Sequence, residues 1–246
     1  MDRKQQEADR ILSAHVQDLV RRQAYRSFTA FLDMRQYTML RSQLAAGTYR
    51  FFGGYPDAER GILCLHPEGL PPADEEYPLT CLTMTYPESF TLTHRDVLGS
   101  LMAQQVQRDT VGDILLTPGR VQCFVTGAAA AVGRELTRIG KVGVKVRDDL
   151  PAAQDYARQM RQITGTVASL RLDAVLHVAS RIRREDCAER IRRGMVMLNY
   201  LEVTDPSRPL QEGDVFSLRG TGKFRLDSVG PYSAKGRVHI TVAQYV

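Results

Sequence analysis

Apolar residues recur at helical spacing from Gln5 to about Leu44, first at Ala8, Ile11, Leu12 and Val16, then at Phe28, Phe31, Leu32, Met39 and Leu40. This pattern predicts a mostly helical beginning, with Asp33 or Ser27 suited to open a later turn. Gly47, Gly53, Gly54 and Pro56 break the period, and Tyr49 to Phe52 and Ile62 to Leu65 read as two short strands around a Gly-Gly-Tyr turn. The acidic, Pro-rich run from His66 to Glu76 reads as a linker. Beyond it the period alternates between two and 3.6. A strand is predicted from Leu79 to Tyr86, a helix from Arg95 to about Gln107, strands at Asp113 to Leu116 and Val121 to Val125, a helix from Ala128 to Ile139 and a strand from Val142 to Val146.

That order, β-α-β-β-α-β, is ferredoxin-like. Two helices on one face of such a sheet leave the other open, and RNA-recognition domains stack bases on aromatics there. Phe124 and Tyr86 are the aromatics on offer, and Arg120 to Val125 does not match the base-stacking signature, so the sheet is read as architectural, with RNA contact as the alternative. Pro151 to Ala168 reads as a polar helix or linker. A last module follows: a helix opening at Arg171-Leu172-Asp173, a second helix over roughly Arg184 to Arg193, and Gly194 where a left-handed cap would fall. Then come a strand from Met195 to Leu198 ending at Asn199, a Gly213-Asp214 turn, a strand from Val215 to Leu218, and Arg219, Lys223 and Arg225. The fold class expected is α+β. Its parts are a mixed, mostly helical N-terminal domain over 1–73, a ferredoxin-like, RRM-like domain over 74–150, a linker over 151–169 and a small RNA-binding type of domain over 170–246.

Charge sharpens the picture at the C-terminal end. The chain of 246 residues has a net charge of +5, distributed as −1 over residues 1–80, +2 over 81–170 and +4 over 171–246. The basic residues are mostly Arg, whose planar fork suits phosphate and base edges, although a high-GC genome would enrich Arg as well. Cys64, Cys81, Cys123 and Cys187 lie far apart, with no Cys-x-x-Cys and no nearby His pair, so neither a zinc site nor a disulfide framework is read from them. His15, His66, His177 and His239 have no metal-like partners, and no cofactor is expected. The charged start and the lack of any eighteen-residue apolar run give the expectation of a reduced, soluble, cytoplasmic protein with no membrane insertion.

On the second C-terminal helix, Cys187, Ala188 and Ile191 cluster on one side, while Arg190 and Arg193, with Arg183 just before the helix, fall on an adjacent flank. Glu185, Asp186 and Glu189 could neutralise part of that row, which is the reading as a merely solvated charged face. Helix, Gly194 turn and basic hairpin together are expected to build one concave positive surface for a phosphate backbone.

This pattern over residues 170–225 resembles an S4-type RNA-binding domain, a helix-loop-helix and small sheet that recur in a ribosomal small-subunit protein, pseudouridine synthases and some tRNA synthetases. The usual Ser-Arg opening of its second helix falls on Arg183-Arg184, so Arg183 replaces the N-cap Ser, while Ser180-Arg181 sits one turn early; Arg184 is favoured for the RNA-contacting place. A wider resemblance spans the chain. Phe51-Phe52-Gly53-Gly54-Tyr55 with Ala58-Glu59-Arg60, Thr93-His94-Arg95-Asp96-Val97-Leu98-Gly99, Gly112-Asp113-Ile114, Ser169-Leu170-Arg171-Leu172-Asp173 and Ser217-Leu218-Arg219-Gly220-Thr221-Gly222 are similar, in order and spacing, to the YlmH family. That resemblance implies an N-terminal domain, an RRM-like middle domain and a C-terminal S4 domain. It also implies association with large ribosomal subunits obstructed by peptidyl-tRNA during quality control of stalled translation.

The expectation is therefore a non-enzymatic RNA-binding protein whose partners are large-subunit ribosomal RNA, tRNA or both, with Arg171, Arg181, Arg183, Arg184, Arg190, Arg193, Asn199, Lys223, Arg225 and Arg95 as RNA-binding residues. The alternative is an RNA-modifying, pseudouridine-synthase-like enzyme with an appended S4 domain. Arg171-Leu172-Asp173 resembles that catalytic motif, but too little chain follows it for a catalytic domain, and Asp173 reads as a helix-start acid favoured by the dipole. Another place for an enzyme site is the pair of segments Gly53 to Arg60 and His94 to Asp96. Thr93-His94-Arg95-Asp96 echoes a kinase loop without the rest of the kinase set, and its spacing suits a capping box. Gly220-Thr221-Gly222-Lys223 fails the phosphate-loop pattern, and Gly127 to Gly133 lacks the dinucleotide fingerprint. Protein partners of the N-terminal domain are not specified by the sequence.

Overall fold

A computed structural model of the chain describes residues 3–22, 25–149, 160–233 and 236–245. In its first helix, α1 (Arg3–Arg21), Val16 is buried and Asp9 accepts a bidentate bond from Arg35 at 2.6 and 2.7 Å. The helical expectation fails after that. Ser27–Asp33 is a strand, β1, because its Phe31 and Leu32 are buried in a sheet, and the period that looked helical belongs to two short elements read together. Asp33 then caps α2 (Met34–Arg41), its carboxylate accepting from the Gln36 backbone at 2.8 Å while the Gln36 side chain accepts from the Asp33 N–H at 2.9 Å. β2 (Tyr49–Phe52) and β3 (Arg60–Leu65) complete a three-stranded antiparallel sheet in the order β1-β3-β2.

The following elements are β4 (Thr80–Thr85), α3 (His94–Met102), β5 (Val111–Thr117), β6 (Arg120–Val125), α4 (Gly127–Arg134), the short pair β7 (Arg138–Ile139) and β8 (Val142–Gly143), and β9 (Lys145–Asp148). The four longer strands form an antiparallel sheet in the order β5-β6-β4-β9, so β5 and β9 are its edges. Thr93 and Asp96 form the expected capping box at the start of α3. Side chains alternate across the sheet. Leu82, Met84, Val121, Cys123 and Val125 pack with Val97 and Leu101 of α3 and Ala129 and Ala130 of α4.

The opposite face is not open. Cys81, Leu115 and Phe124 join Phe31, Tyr55, Ile62, Cys64 and Tyr77 in one apolar cluster, and the rings of Tyr55 and Phe124 stack at 5.3 Å. Phe124 is fully buried, so it has no surface on which a base could stack, and Tyr86 is half-buried against the helix-side cluster. The segments expected as separate domains over 1–73 and 74–150 thus share a core within one compact unit, Met1–Tyr156.

Of the linker expected over 151–169, residues 151–159 lie outside the described residues, and the rest is a correction. Met160–Val167 is a strand, β10, paired along its whole length with β15 (Val238–Tyr245). Its polar residues alternate with Ile163, Gly165 and Val167, the period of a sheet with one face on a core. This second unit, Ala157–Val246, also contains α5 (Leu172–Ser180), α6 (Arg184–Arg192), β11 (Val196–Leu198), β12 (Leu201–Val203), β13 (Val215–Leu218) and β14 (Gly222–Tyr232). Its six strands are antiparallel in the order β10-β15-β14-β13-β11-β12. Leu172, Val175, Leu176, Ala179, Cys187 and Ile191 of the two helices pack on Phe216, Leu218, Phe224, Leu226, Ile240 and Val242.

All four cysteines are buried and unbridged, and burial pushes the thiols of Cys81 and Cys123 up to about 12, which keeps them protonated at neutral pH. Among the described residues no group of three or more His, Cys, Asp or Glu is placed to hold a metal ion, and no helix is long and apolar enough to cross a membrane.

The seal over Phe124 depends on Gly54, which sits at φ +100° with no room for a side chain: an added Cβ would lie 2.3 Å from the Phe124 ring. Gly54→Ala combines a left-handed backbone with overpacking and should lower stability by about 3 kcal/mol. Denaturant unfolding of the full chain checks this, and an unchanged midpoint would contradict the packing described.

Candidate nucleic-acid interface

α5 exists because LDAVLHVAS places Leu172, Val175, Leu176 and Ala179 on one face, all buried. Arg181, in the left-handed conformation at φ 59°, ends it, and its N–H donates to the His177 carbonyl at 2.9 Å. The turn into α6 is tied from three sides. Ser180 Oγ donates to the Leu176 carbonyl at 2.6 Å and accepts from the Ile182 N–H at 3.3 Å, and His177 Nδ1 donates to the Ile182 carbonyl at 2.6 Å. Arg183 occupies the N-cap of α6 without a side-chain cap, as the missing Ser implies. Glu185 and Asp186 in the first turn and Arg190 and Arg192 in the last favour the helix dipole instead. At the far end Gly194, at φ 67°, donates to the Ile191 carbonyl and Met195 to the Arg190 carbonyl, the double bond of a Schellman cap.

The two helices are joined by one carboxylate. Asp173, in the first turn of α5, has a side chain only 8% exposed, and it accepts from Arg171 Nε at 3.2 Å and from Arg184 Nε and Nη2 at 3.1–3.2 Å. Arg171 and Arg184 remain 42% and 48% exposed, so each is fixed at its inner edge and open at its outer one. The sequence reading missed this role, placing Asp173 with the dipole alone. The Arg171-x-Asp173 spacing was the available signal, and the partner eleven residues on was not.

Between Arg171 and Arg193 there are seven arginines and four acids. Arg193 pairs with Glu189 at 2.5 Å on the surface, whereas Arg181, Arg183, Arg190 and Arg192 make no ion pair among the described residues. At roughly 100° per residue Arg183 and Arg190 fall on one flank of α6, and Arg192 lies about 160° from Arg190 on the other. Arg181, Arg183 and Arg192 are exposed and Arg190 is half-buried.

The basic hairpin does not join this surface. Lys223 and Arg225 alternate along β14 with Phe224 and Leu226, and those two face the helices, so the cationic pair points to the opposite side of the sheet. There the Lys223 ammonium lies 4.7 and 4.8 Å from the ring centres of Tyr200 and Tyr245 and donates to the Tyr200 hydroxyl at 3.1 Å. Arg225 Nε donates to Asp227 at 2.6 Å. The single concave surface expected from helix, turn and hairpin is therefore two surfaces. Arg95 lies exposed in the first turn of α3, in the N-terminal unit.

Asn199 is a turn residue. Asn199 and Tyr200 have φ of 48° and 69° and connect β11 to β12, the left-handed pair of a tight two-residue hairpin. The Asn199 amide donates to Asp214 at 2.8 Å and accepts from the Val215 N–H at 3.0 Å, which commits its polar atoms to the fold. Asn199→Ala removes both bonds and leaves a Cβ residue in a left-handed position without compensation, so the melting temperature should fall, with a loss of about 2 kcal/mol. Asn199→Gly should recover only the backbone part. Equal stability of all three proteins would contradict this role.

Residues 72–154 match the family model described as "Putative RNA-binding domain in YlmH". Over 229 residues the chain is 33% identical to "Ribosome-associated protein quality control protein P2" of Bacillus subtilis (strain 168), an alignment covering 91% of this chain and 89% of that relative. A solved structure, "Cell division protein ylmH from Streptococcus pneumoniae", aligns at 21% identity with a TM-score of 0.46, over 60% of this chain and 90% of its own. With identity sustained along nearly the whole of both sequences, and with the family model matching the middle of this one, the chain belongs to the YlmH family.

Proposed function

We propose that this chain is a non-catalytic RNA-binding protein of the cytoplasm that docks on ribosomal RNA of the large subunit, on tRNA or on both, in the quality control of stalled translation. The observation that carries this reading is the α5–α6 corner: a buried carboxylate aligns two half-exposed guanidiniums, and on the same two helices and their turn Arg181, Arg183 and Arg190 stand outside any ion pair among the described residues. Such a corner offers planar bidentate donors at fixed positions, the arrangement that suits backbone phosphates. Two helices joined by a tight turn on an antiparallel sheet agree with an S4-type module. The names of the B. subtilis relative and of the matched family model, one ribosome-associated and the other an RNA-binding domain, support the same direction. The enzymatic alternative needs an activated acid or nucleophile outside residues 171–225, and the engagement of Asp173 by two guanidiniums supports its reading as a positioning part.

Binding of the full chain to structured RNA across a salt series tests the reading. Arg183→Ala with Arg190→Ala should weaken binding by roughly tenfold and make the log–log salt slope shallower by about one to two units, without altering the melting temperature. Arg192→Ala, on the other flank, should change affinity less. A flat salt response of the wild-type protein, or equal effects on both flanks, would overturn the assignment of this face.

A further inference from the structure

In the C-terminal unit β14 and β15 run on as a ribbon beyond β13. β13 pairs with β14 only from Gly222 to Arg225, whereas β14 continues to Tyr232 against β15, whose other side is paired with β10. The turn that ends this ribbon is closed by its own bonds. The Ser233 N–H donates to the Arg237 carbonyl at 2.6 Å, the Gly236 N–H donates to the Ser233 carbonyl at 2.9 Å, and Ser233 Oγ accepts from the Arg237 N–H at 3.1 Å. At the base of the extension the Val229 N–H donates to Glu212 Oε1 at 2.5 Å. The tip thus has a defined shape.

Tyr232 is 73% exposed, the highest value of any large hydrophobic side chain among the described residues, and its side chain makes no hydrogen bond or ring contact there. Nothing in the fold uses this ring. Arg237, on the other arm, is anchored without being neutralised. Its Nε donates to Thr166 Oγ1 at 3.1 Å and its Nη2 to the Thr166 carbonyl at 2.7 Å, both uncharged acceptors, and Nη1 has no partner among the described residues. The strands that build this end are also free of acids. Residues 160–171, with all of β10, and residues 228–246, with the tip and all of β15, carry Arg161, Arg171, Lys235 and Arg237 and no Asp or Glu, so an anionic partner meets no opposing side chain from them. Asp227, earlier in β14, is paired with Arg225.

We propose that this ribbon tip is a second RNA contact, on which an unpaired base stacks against Tyr232 while the adjoining phosphate meets Arg237. Single-stranded nucleic acid is held by aromatic faces under its bases and cations along its backbone, and the tip offers one of each. A neutral protein surface would use the ring and gain nothing from the cation. By the two-residue alternation Tyr232 falls on the side of Val238 and Arg237 on the other, so a strand passing over the tip meets both. The inference rests on the RNA-binding reading above and adds contact with a base to the phosphate contacts of α5 and α6. Phe124 of the middle sheet is buried, and Tyr232 supplies the open ring face that it lacks.

The test titrates full-length wild type, Tyr232→Ala and Tyr232→Phe with a labelled, unstructured RNA decamer and with an abasic decamer of the same length. Tyr232→Ala should bind the RNA decamer about tenfold more weakly and keep the wild-type melting temperature, and Tyr232→Phe should bind within about twofold of the wild type. All three should bind the abasic decamer alike. Arg237→Gln should weaken binding of both decamers and make the log–log salt slope shallower by about 0.7. An unchanged affinity of Tyr232→Ala for the RNA decamer, or an equal loss on the abasic one, overturns the stacking contact. Failure of the wild type to bind the RNA decamer overturns it as well and leaves the ring to a protein partner. Structured-RNA binding through Arg183 and Arg190 is a separate readout: loss of the tip effect with the α6 effect intact overturns this inference alone.

Discussion

The C-terminal unit depends on how one buried carboxylate is shared between two arginines. Asp173 can be buried only because Arg171 and Arg184 both donate to it, and these guanidiniums in turn have fixed positions only because Asp173 holds them. Hydrogen bonds to a charged group contribute about 1.5–3 kcal/mol each, reduced here because both arginines are nearly half exposed. The geometric consequence outweighs the energetic one. The first turns of α5 and α6 are locked together, and the connecting turn is closed by Ser180 and His177. Two cations opposite one anion leave a net positive corner with defined directions, which a flexible row of arginines would not provide.

A different constraint governs the N-terminal unit. A four-stranded sheet with helices on one face must cover its other face or use it, and here Phe31, Tyr55, Ile62 and Tyr77 cover it. Gly54 and Gly112 allow the close approach, the first against the Phe124 ring and the second against Phe31. At the edge of the sheet Arg60 and Arg108 both donate to the Val111 carbonyl, and Asp113 accepts from Tyr55 and the Glu59 N–H.

Elements marked by local chemistry were legible in the sequence. Thr93 with Asp96, Asp33 before α2, Gly194 after α6 and Asn199 at a hairpin are all where short-range rules place them. The strand Val215–Leu218 has the bounds read from its alternation. What failed was long-range. β1 reads as helix because a seven-residue strand between two helices mimics their period, and β10 resembles a linker because its partners in β15 are 71 to 85 residues away. The expected single concave positive surface fails for a similar reason. Lys223 and Arg225 are basic and near in sequence to the module, but the two-residue period of β14 turns them away from the helices. Asp173 was seen, and its second arginine was not, because a contact across eleven residues requires the helix–turn–helix to be folded first.

The buried acid is a positioning device rather than a neutralising one, and simple electrostatics makes the opposite prediction for its removal. The direct measurement is the affinity of Asp173→Asn for structured RNA at fixed ionic strength, with circular dichroism confirming the fold. Removing a negative charge from a cationic surface should tighten binding if charge alone matters. If Asp173 holds Arg171 and Arg184 in register, binding weakens several-fold despite the added positive charge; a folded Asp173→Asn protein that binds RNA more tightly than the wild type would contradict it.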